Sequence, residues 1–251
     1  MRRSPAACRV QYRREKSVRG RKIVEGALDL LYPPRIYCDI CGNLIDESRT
    51  YALCDRCISR MKWDRDPVQE LGGVKMLRCA EYGIYERTMI FNLKYRGRKY
   101  IARDIAEIMR DRLRITDAVF EVIVPVPLSP ERLRARGFNQ TALIGRHLAE
   151  MTGTVQVEDA LVRARNTRPM HGLSPEEREE NIRGAFRVNT GRIPELSGRR
   201  ILMLDDFATT GATAREMRRA LREAEPAEEI FLSFAARYGE AIRRTSEDDA
   251  D

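Results

Sequence analysis

The chain has 251 residues, with 46 Lys or Arg against 38 Asp or Glu, a formal charge of +8. That length fits a mid-sized domain with a small appendage, and the positive balance favours polyanionic ligands, phosphorylated sugars and nucleic acid alike. No apolar run is long enough for a transmembrane helix and the N-terminus has no apolar core of a secretory signal, so the expectation is a cytoplasmic protein without a membrane span.

Residues 1–17 form a basic arm that is expected to be disordered; residues 1–22, Arg-rich and poor in acids, resemble a transit peptide, but a disordered arm or an over-long start site is the preferred reading. Residues 18–31 carry Ile23, Val24, Ala27, Leu28 and Leu31 at helical spacing, and Pro33 and Pro34 stop that helix. Cys38 and Cys41 follow, then Cys54 and Cys57. Two C-x-x-C pairs place four thiolates on two tight turns, the arrangement that tetrahedral zinc needs, with Gly42 free to bend behind the first pair. A cytoplasmic chain disfavours disulfides, and no thioredoxin-like βαβ pattern surrounds either pair. With all four positions filled by Cys, such a site holds a fold and does not catalyse. The expected module spans residues 18–63. Cys8 and Cys79 are most simply free thiols.

Residues 64–73 are polar and end in Gly72 and Gly73, which reads as a linker into a main domain over residues 74–240. Residues 79–85 suggest a strand. Lys94 and Arg98 lie on either side of Gly97 between two helical patterns, the second carrying Ile101, Ile105 and Ile108; a solvated turn and an anion contact are equally open there. Residues 119–126 are the most apolar β-type run, ending in Pro125, Val126, Pro127, Leu128 and Ser129. Prolines at the end of a buried strand impose an unusual backbone that can aim N–H groups at one ligand, and Arg132, Arg134 and Arg136 follow. Residues 139–151 read as a helix with Ile144, Leu148 and Met151 buried and His147 at the surface. Residues 161–186 are charged and weakly periodic, the character of a lid or binding loop, and nothing nearby in sequence orients their His171. Residues 229–236 give a last strand, and an acidic tail at 241–251 is expected to be disordered.

The stretch over residues 201–213 concentrates the chemistry. Four apolar residues, Ile201 to Leu204, read as a short buried strand; Asp205 and Asp206 follow, then Ala208, Thr209, Thr210, Gly211, Ala212 and Thr213 lead into a helix with Met217, Leu221 and Ala224 on one face. A Thr/Gly loop at a helix start offers backbone N–H groups and hydroxyls to a phosphate, and Gly211 can take the positive φ that close approach requires. Two carboxylates need donors that phosphate lacks, and a ribose diol supplies them. No Lys follows the loop as a P-loop would require, and no G-x-G-x-x-G follows a strand.

LMLDDFATTGAT resembles the phosphoribosyl-pyrophosphate (PRPP) signature of type I phosphoribosyltransferases, in which the acidic pair binds the ribose hydroxyls and the Thr/Gly loop the 5′-phosphate. LKYRGR at 93–98, PVPLSPERLRARGFNQ at 125–140 and RNTRPMHGLSPEEREENIRGAF at 165–186 are in addition similar to the ComF family, which joins a four-Cys zinc element to such a domain and is associated with bacterial DNA uptake. The likeness covers about residues 25–238. It implies an α/β fold with a type I phosphoribosyltransferase-like, five-stranded parallel sheet flanked by helices and a small N-terminal zinc ribbon. It also implies PRPP at Asp205, Asp206 and residues 208–213, Pro125 to Ser129 as the pyrophosphate loop, Lys94, Arg98, Arg132 and Arg136 as candidate anion contacts, and residues 161–186 as a mobile hood. Zn2+ would be structural and Mg2+ would arrive with PRPP. Phe207 stands where the motif usually has Val, and His171 where the family has a small polar residue. The acceptor and any catalytic residue stay unassigned. Sensing of PRPP or a nucleotide without turnover, and a DNA-uptake accessory with a basic surface for single-stranded DNA or a DNA-uptake or recombination protein, remain the other readings.

Overall fold

The computed structural model describes residues 36–237 apart from 47 and 169–171. The basic arm, the helix expected over 18–31, Cys8, His171 and the acidic tail lie outside the described residues.

The described chain runs through a short helix α1 (Asp55–Ile58), strands β1 (Gln69–Leu71) and β2 (Val74–Glu81), helices α2 (Ile84–Tyr95) and α3 (Ile101–Ile115), and strand β3 (Val122–Pro125). Helices α4 (Pro130–Arg136) and α5 (Gln140–Thr152) follow, then strands β4 (Val155–Gln156) and β5 (Leu161–Arg163), helix α6 (Pro175–Ile182) and strand β6 (Phe186–Val188). The last part holds the short helix α7 (Ile193–Leu196), strand β7 (Arg200–Ala208), helix α8 (Ala212–Leu221) and strand β8 (Glu228–Ala236). The six-stranded sheet has the order β1-β2-β8-β7-β3-β4. Every pair from β2 to β4 is parallel, and only β1 runs antiparallel, at the edge. The five parallel strands expected from the family likeness are therefore present, with one added hairpin strand.

Strand periodicity decides which side chains go to which face. Along β7, Leu202 and Leu204 join one core cluster with Ile105, Met109, Ile144 and Leu148 of α3 and α5. Ile201 and Met203 join the other with Met217 and Leu221 of α8 and with Phe186. Both faces are covered, which is why β7 reads as a continuous apolar run and not as an alternating one. Helix α5 lies so close to the sheet that a Cβ on Gly145 would stand 3.2 Å from Leu204 Cδ2 and closer still to Gln156.

Several boundaries depart from the sequence reading. The strand expected at 79–85 ends at Glu81, because Gly83 opens α2, where its N–H donates to Glu86 Oε2 at 2.9 Å. Residues 64–73 are no free linker: β1 and β2 form a hairpin there, and the buried Asp64 pairs with Arg78 and with Arg112, 3.2 Å away. The polar composition that suggested a linker is spent on an internal ion-pair network. Strand β7 continues through the acidic pair to Ala208 instead of stopping at Leu204.

Candidate functional site: a crevice at the carboxyl ends of β3 and β7

Helix α5, which follows β3, packs on one face of the sheet, while α8, which follows β7, packs on the other. Strands β3 and β7 are hydrogen-bonded neighbours, with Pro125 opposite Leu204. Connections that leave adjacent parallel strands toward opposite faces open a crevice at their carboxyl ends, where ligands of open α/β sheets bind. Both polar motifs of the sequence reach this crevice.

From β7 come Asp205 and Asp206, 8% and 3% exposed. The Asp206 N–H donates to Asp205 Oδ1 at 2.8 Å. Burial, and then the neighbouring Asp206 charge, push the Asp205 carboxyl well above the ordinary carboxylate range. Asp206 is ion-paired to Lys94, in the last turn of α2. Residues 209–211 then turn into α8 through Gly211, whose φ is +73°. A Cβ there would meet Leu71 Cδ2 at 2.9 Å and Met76 Sδ at 3.3 Å, so the loop rests on the β1–β2 hairpin. The Thr210 hydroxyl accepts from the Ala212 N–H at 3.4 Å, and Ala208, Thr209, Thr210, Ala212 and Thr213 surround a helix start whose N–H groups have no intrahelical partners.

From β3 come Pro125, Val126, Pro127, Leu128 and Ser129. The Val126 carbonyl accepts from Asn139 Nδ2 at 3.0 Å and from Thr141 Oγ1 at 2.9 Å, and the Pro127 carbonyl accepts from Arg163 Nε at 3.1 Å. With these carbonyls tied back, the loop is fixed in shape. Ser129 caps α4 by accepting from the Arg132 N–H at 3.3 Å.

Arg163 is the residue sequence reasoning passed over. It was visible only as one charge among many in the segment 161–186, but it ends β5, lies 5.2 Å from the Phe186 ring, donates to Thr167 at 2.7 Å, and spans to the Pro127 loop. Burial and the nearby Arg132 charge hold its guanidinium down to about 10. Its hydrogen bonds to Pro127 and Thr167 go to neutral oxygens. A half-buried cation beside other cations is costly unless an anion joins it.

The remaining candidates divide. Arg132 faces Arg163, whereas Arg136 bonds Gln140 and lies over the Tyr95 ring at 5.3 Å. Arg98 turns to the cysteine module, where its charge opposes the rise of the buried Asp39 carboxyl, pushed up to about 9 by burial and Asp104. The segment expected as a hood is anchored at its base: β5 and β6 pair antiparallel, and Glu216 of α8 accepts from the Phe186 N–H at 3.3 Å. Arg215 ties α6 to the Thr/Gly loop by donating to Glu179 Oε2 at 2.9 Å and to the Thr210 carbonyl at 3.0 Å. His147 sits 3.7 Å from Glu150, away from the crevice.

In the cysteine module the Gly42 N–H bonds the Cys38 carbonyl at 2.9 Å and the Cys57 N–H the Cys54 carbonyl at 3.0 Å, giving two tight turns. All four thiol sulfurs lie within 4.8 Å of one another, and no disulfide joins the described cysteines. Tetrahedral zinc with Zn–S bonds of 2.3 Å wants sulfurs about 3.8 Å apart. The four-thiol set fits a metal ion of that kind. Cys38 and Cys57 are buried in the same core cluster as Leu77, Leu93 and Leu232, so the module shares the main domain's core.

No protein-family model matches the chain. It is 29% identical over 194 residues to competence protein F of Haemophilus influenzae, covering 74% of this chain and 79% of that one. It is 28% identical over 190 residues to the DNA utilization protein YhgH of Escherichia coli, covering 73% and 77%. The chain is thus similar over most of its length to competence protein F, in line with the resemblance of its motifs to the ComF family. Among solved structures, the chain aligns with an adenine phosphoribosyltransferase from Thermoanaerobacter pseudethanolicus at 13% identity and a TM-score of 0.36, over 56% of this chain and 82% of that one. A Bacillus subtilis glutamine PRPP amidotransferase aligns at 21% and 0.35, over 52% and 25%. At those scores the sheet order and the crevice, not the overlay, carry the fold assignment.

Proposed function

We propose that the crevice binds PRPP, with the ribose diol on Asp205 and Asp206, the 5′-phosphate on the loop of residues 208–213, and the pyrophosphate between Pro125 to Ser129 and the Arg132–Arg163 pair. The observation that carries this reading is the buried acidic pair between two anion-suited groups at one switch point, the Thr/Gly helix start on one side and the half-buried Arg163 on the other. Carboxylates accept from hydroxyls, N–H groups and guanidinium donate to phosphates, and PRPP presents those groups in that order.

The reaction this arrangement suits is transfer of the phosphoribosyl group. The C1–O bond to pyrophosphate breaks with its electron pair leaving on pyrophosphate, an acceptor lone pair forms the new bond to C1, and the acceptor gives up a proton. The protein contributes positioning and charge stabilisation: the loop fixes the 5′ end, the acidic pair orients the ring, and Arg163 and Arg132 neutralise the departing oxygens. Magnesium would arrive with PRPP and would supply charge neutralisation to the leaving group. Zinc in the four-cysteine site would hold the N-terminal module against the core. The acceptor stays unassigned, and the names of the relatives connect the reading to competence and DNA utilization. Calorimetry with PRPP together with pyrophosphate release across a panel of nucleobases and amines tests the proposal; binding without any turnover would make the protein a sensor, and no binding would end the reading.

A second reading rests on a different surface. Phe91 and Tyr95 of α2 are 45% and 66% exposed, with ring centroids 5.1 Å apart. Arg96 lies over Phe91 at 5.9 Å, Arg136 over Tyr95 at 5.3 Å, and Lys99 over Phe138 at 4.9 Å. Exposed rings interleaved with cations suit stacked bases and phosphates of single-stranded nucleic acid. Salt-dependent binding of single-stranded DNA that survives loss of Asp205 and Asp206 but not Phe91→Ala with Tyr95→Ala would support it.

A further inference from the structure

Asp206 has a cationic partner within the chain. Lys94 reaches it from the C-terminal turn of α2, a position where helix carbonyls favour a cation, and the pair is well shielded, with side chains 19% and 4% exposed. A ribose hydroxyl can donate to Asp206 only by competing with this ammonium. The displaced ammonium would then be a shielded charge without a partner, which is costly unless a new anion lies within reach of its flexible stem. Such an anion has a natural place beside it. The residue after Lys94, Tyr95, lies under Arg136 at the end of α4, the helix that Ser129 of the β3 loop caps. The Lys94 charge also acts on Asp205, Asp205 acts in turn on Arg163, and Arg163 donates to the Pro127 carbonyl, so Lys94 and the loop assigned above to pyrophosphate flank the same acidic pair.

Resting on the PRPP reading of the crevice, we propose that Lys94 is a resident counter-ion that exchanges partners when ligand enters, leaving Asp206 to the ribose diol and moving to the anionic group on C1. This makes Lys94 a specificity-determining residue. It opposes sugar phosphates that lack an anion at C1, because they displace it and offer nothing in return, and it favours those that carry one. No bond is made or broken in the exchange.

The two effects have opposite signs, and this separates the proposal from a merely structural role. Full-length wild type, Lys94→Met and Lys94→Arg would be titrated calorimetrically with PRPP and with ribose 5-phosphate, with circular dichroism to confirm folding. Lys94→Met should bind PRPP about tenfold more weakly, the worth of one charge-assisted hydrogen bond, and bind ribose 5-phosphate as tightly as wild type or tighter. Lys94→Arg should restore part of the preference for PRPP. If Lys94→Met weakens both ligands by the same factor, or changes neither, the exchange is overturned while the PRPP reading stands. If Lys94→Met fails to fold, the neutral, polar Lys94→Gln decides, because an unchanged ratio of the two affinities in that variant also overturns it. If wild type binds neither sugar phosphate, the proposed function fails and takes the exchange with it.

Discussion

Gly211 joins sequence, fold and site at one backbone position, so replacing it tests all three. Its φ of +73° lies in the left-handed region, where a Cβ costs about 1–2 kcal/mol. The added Cβ would also stand 2.9 Å from Leu71 Cδ2, 3.2 Å from Arg215 Nη1 and 3.3 Å from Met76 Sδ. Crowding of that kind in a packed region costs roughly 1–3 kcal/mol, less where side-chain ends can move. Gly211→Ala should therefore destabilise the protein by about 3 kcal/mol, a fall in Tm of roughly 6–12 °C for a domain of this size. Gly153 is the control: its φ is +69° at the end of α5 with nothing within 4 Å of a Cβ, so Gly153→Ala should lose only the backbone part. Differential scanning calorimetry reads both. Gly211→Val should in addition weaken binding of ribose 5-phosphate and of free phosphate together, since it distorts the loop that both would use. A Gly211→Ala protein that melts no lower than Gly153→Ala would refute the claim that the loop is wedged against the β1–β2 hairpin.

Three further outcomes are expected. Metal analysis should find about one zinc per chain, and Cys54→Ser should release it and lower the melting temperature of the main domain too, because Cys38 and Cys57 lie in the shared core; full zinc retention would contradict the site. Asp205 holds its proton to higher pH in the folded than in the unfolded chain, so its contribution to stability is fully present below the unfolded value and is lost as pH rises toward the native one. Asp205→Asn should therefore raise Tm at pH 8 and leave it nearly unchanged at low pH, read by melts across pH, and an equal effect at both would show that its burial is not felt as charge. Arg215→Ala should speed proteolysis between Arg163 and Arg183 by freeing α6 from the Thr/Gly loop, and PRPP with magnesium should slow cutting of the parent protein; equal cutting in all states would end the hood reading.

What was legible in the sequence was local. Apolar runs ending in polar motifs marked β3 and β7, helical spacing marked α5 and α8, and cysteine spacing placed four sulfurs that the fold brings within 4.8 Å. The acidic pair, the Thr/Gly loop and the proline loop could each be named, because each is a short string with its own chemistry. What the sequence hid were long-range partnerships. Asp64 looked like linker polarity until Arg78 and Arg112, far along the chain, closed around it. Arg163 was one of many hood charges until the β5–β6 pairing set it against the Pro127 carbonyl. Lys94 and Arg98 looked equivalent four residues apart, yet the end of α2 sends one to Asp206 and the other toward Asp39. Spacing along the chain carries no information about which face of the sheet receives a connection, and that choice creates the crevice.

The most direct test of the central claim is a calorimetric titration of PRPP with magnesium into wild type and Asp206→Asn, alongside inorganic phosphate as control. The substitution is nearly isosteric, removes acceptor charge, and replaces one carboxylate oxygen with a donor facing hydroxyl hydrogens. A hydrogen bond to a charged group contributes about 1.5–3 kcal/mol, so PRPP affinity should fall roughly ten- to a hundredfold while phosphate binding is spared. Equal PRPP affinity in the two proteins would mean that the buried pair serves only to cap the end of β7, and the ribose-binding account would be wrong.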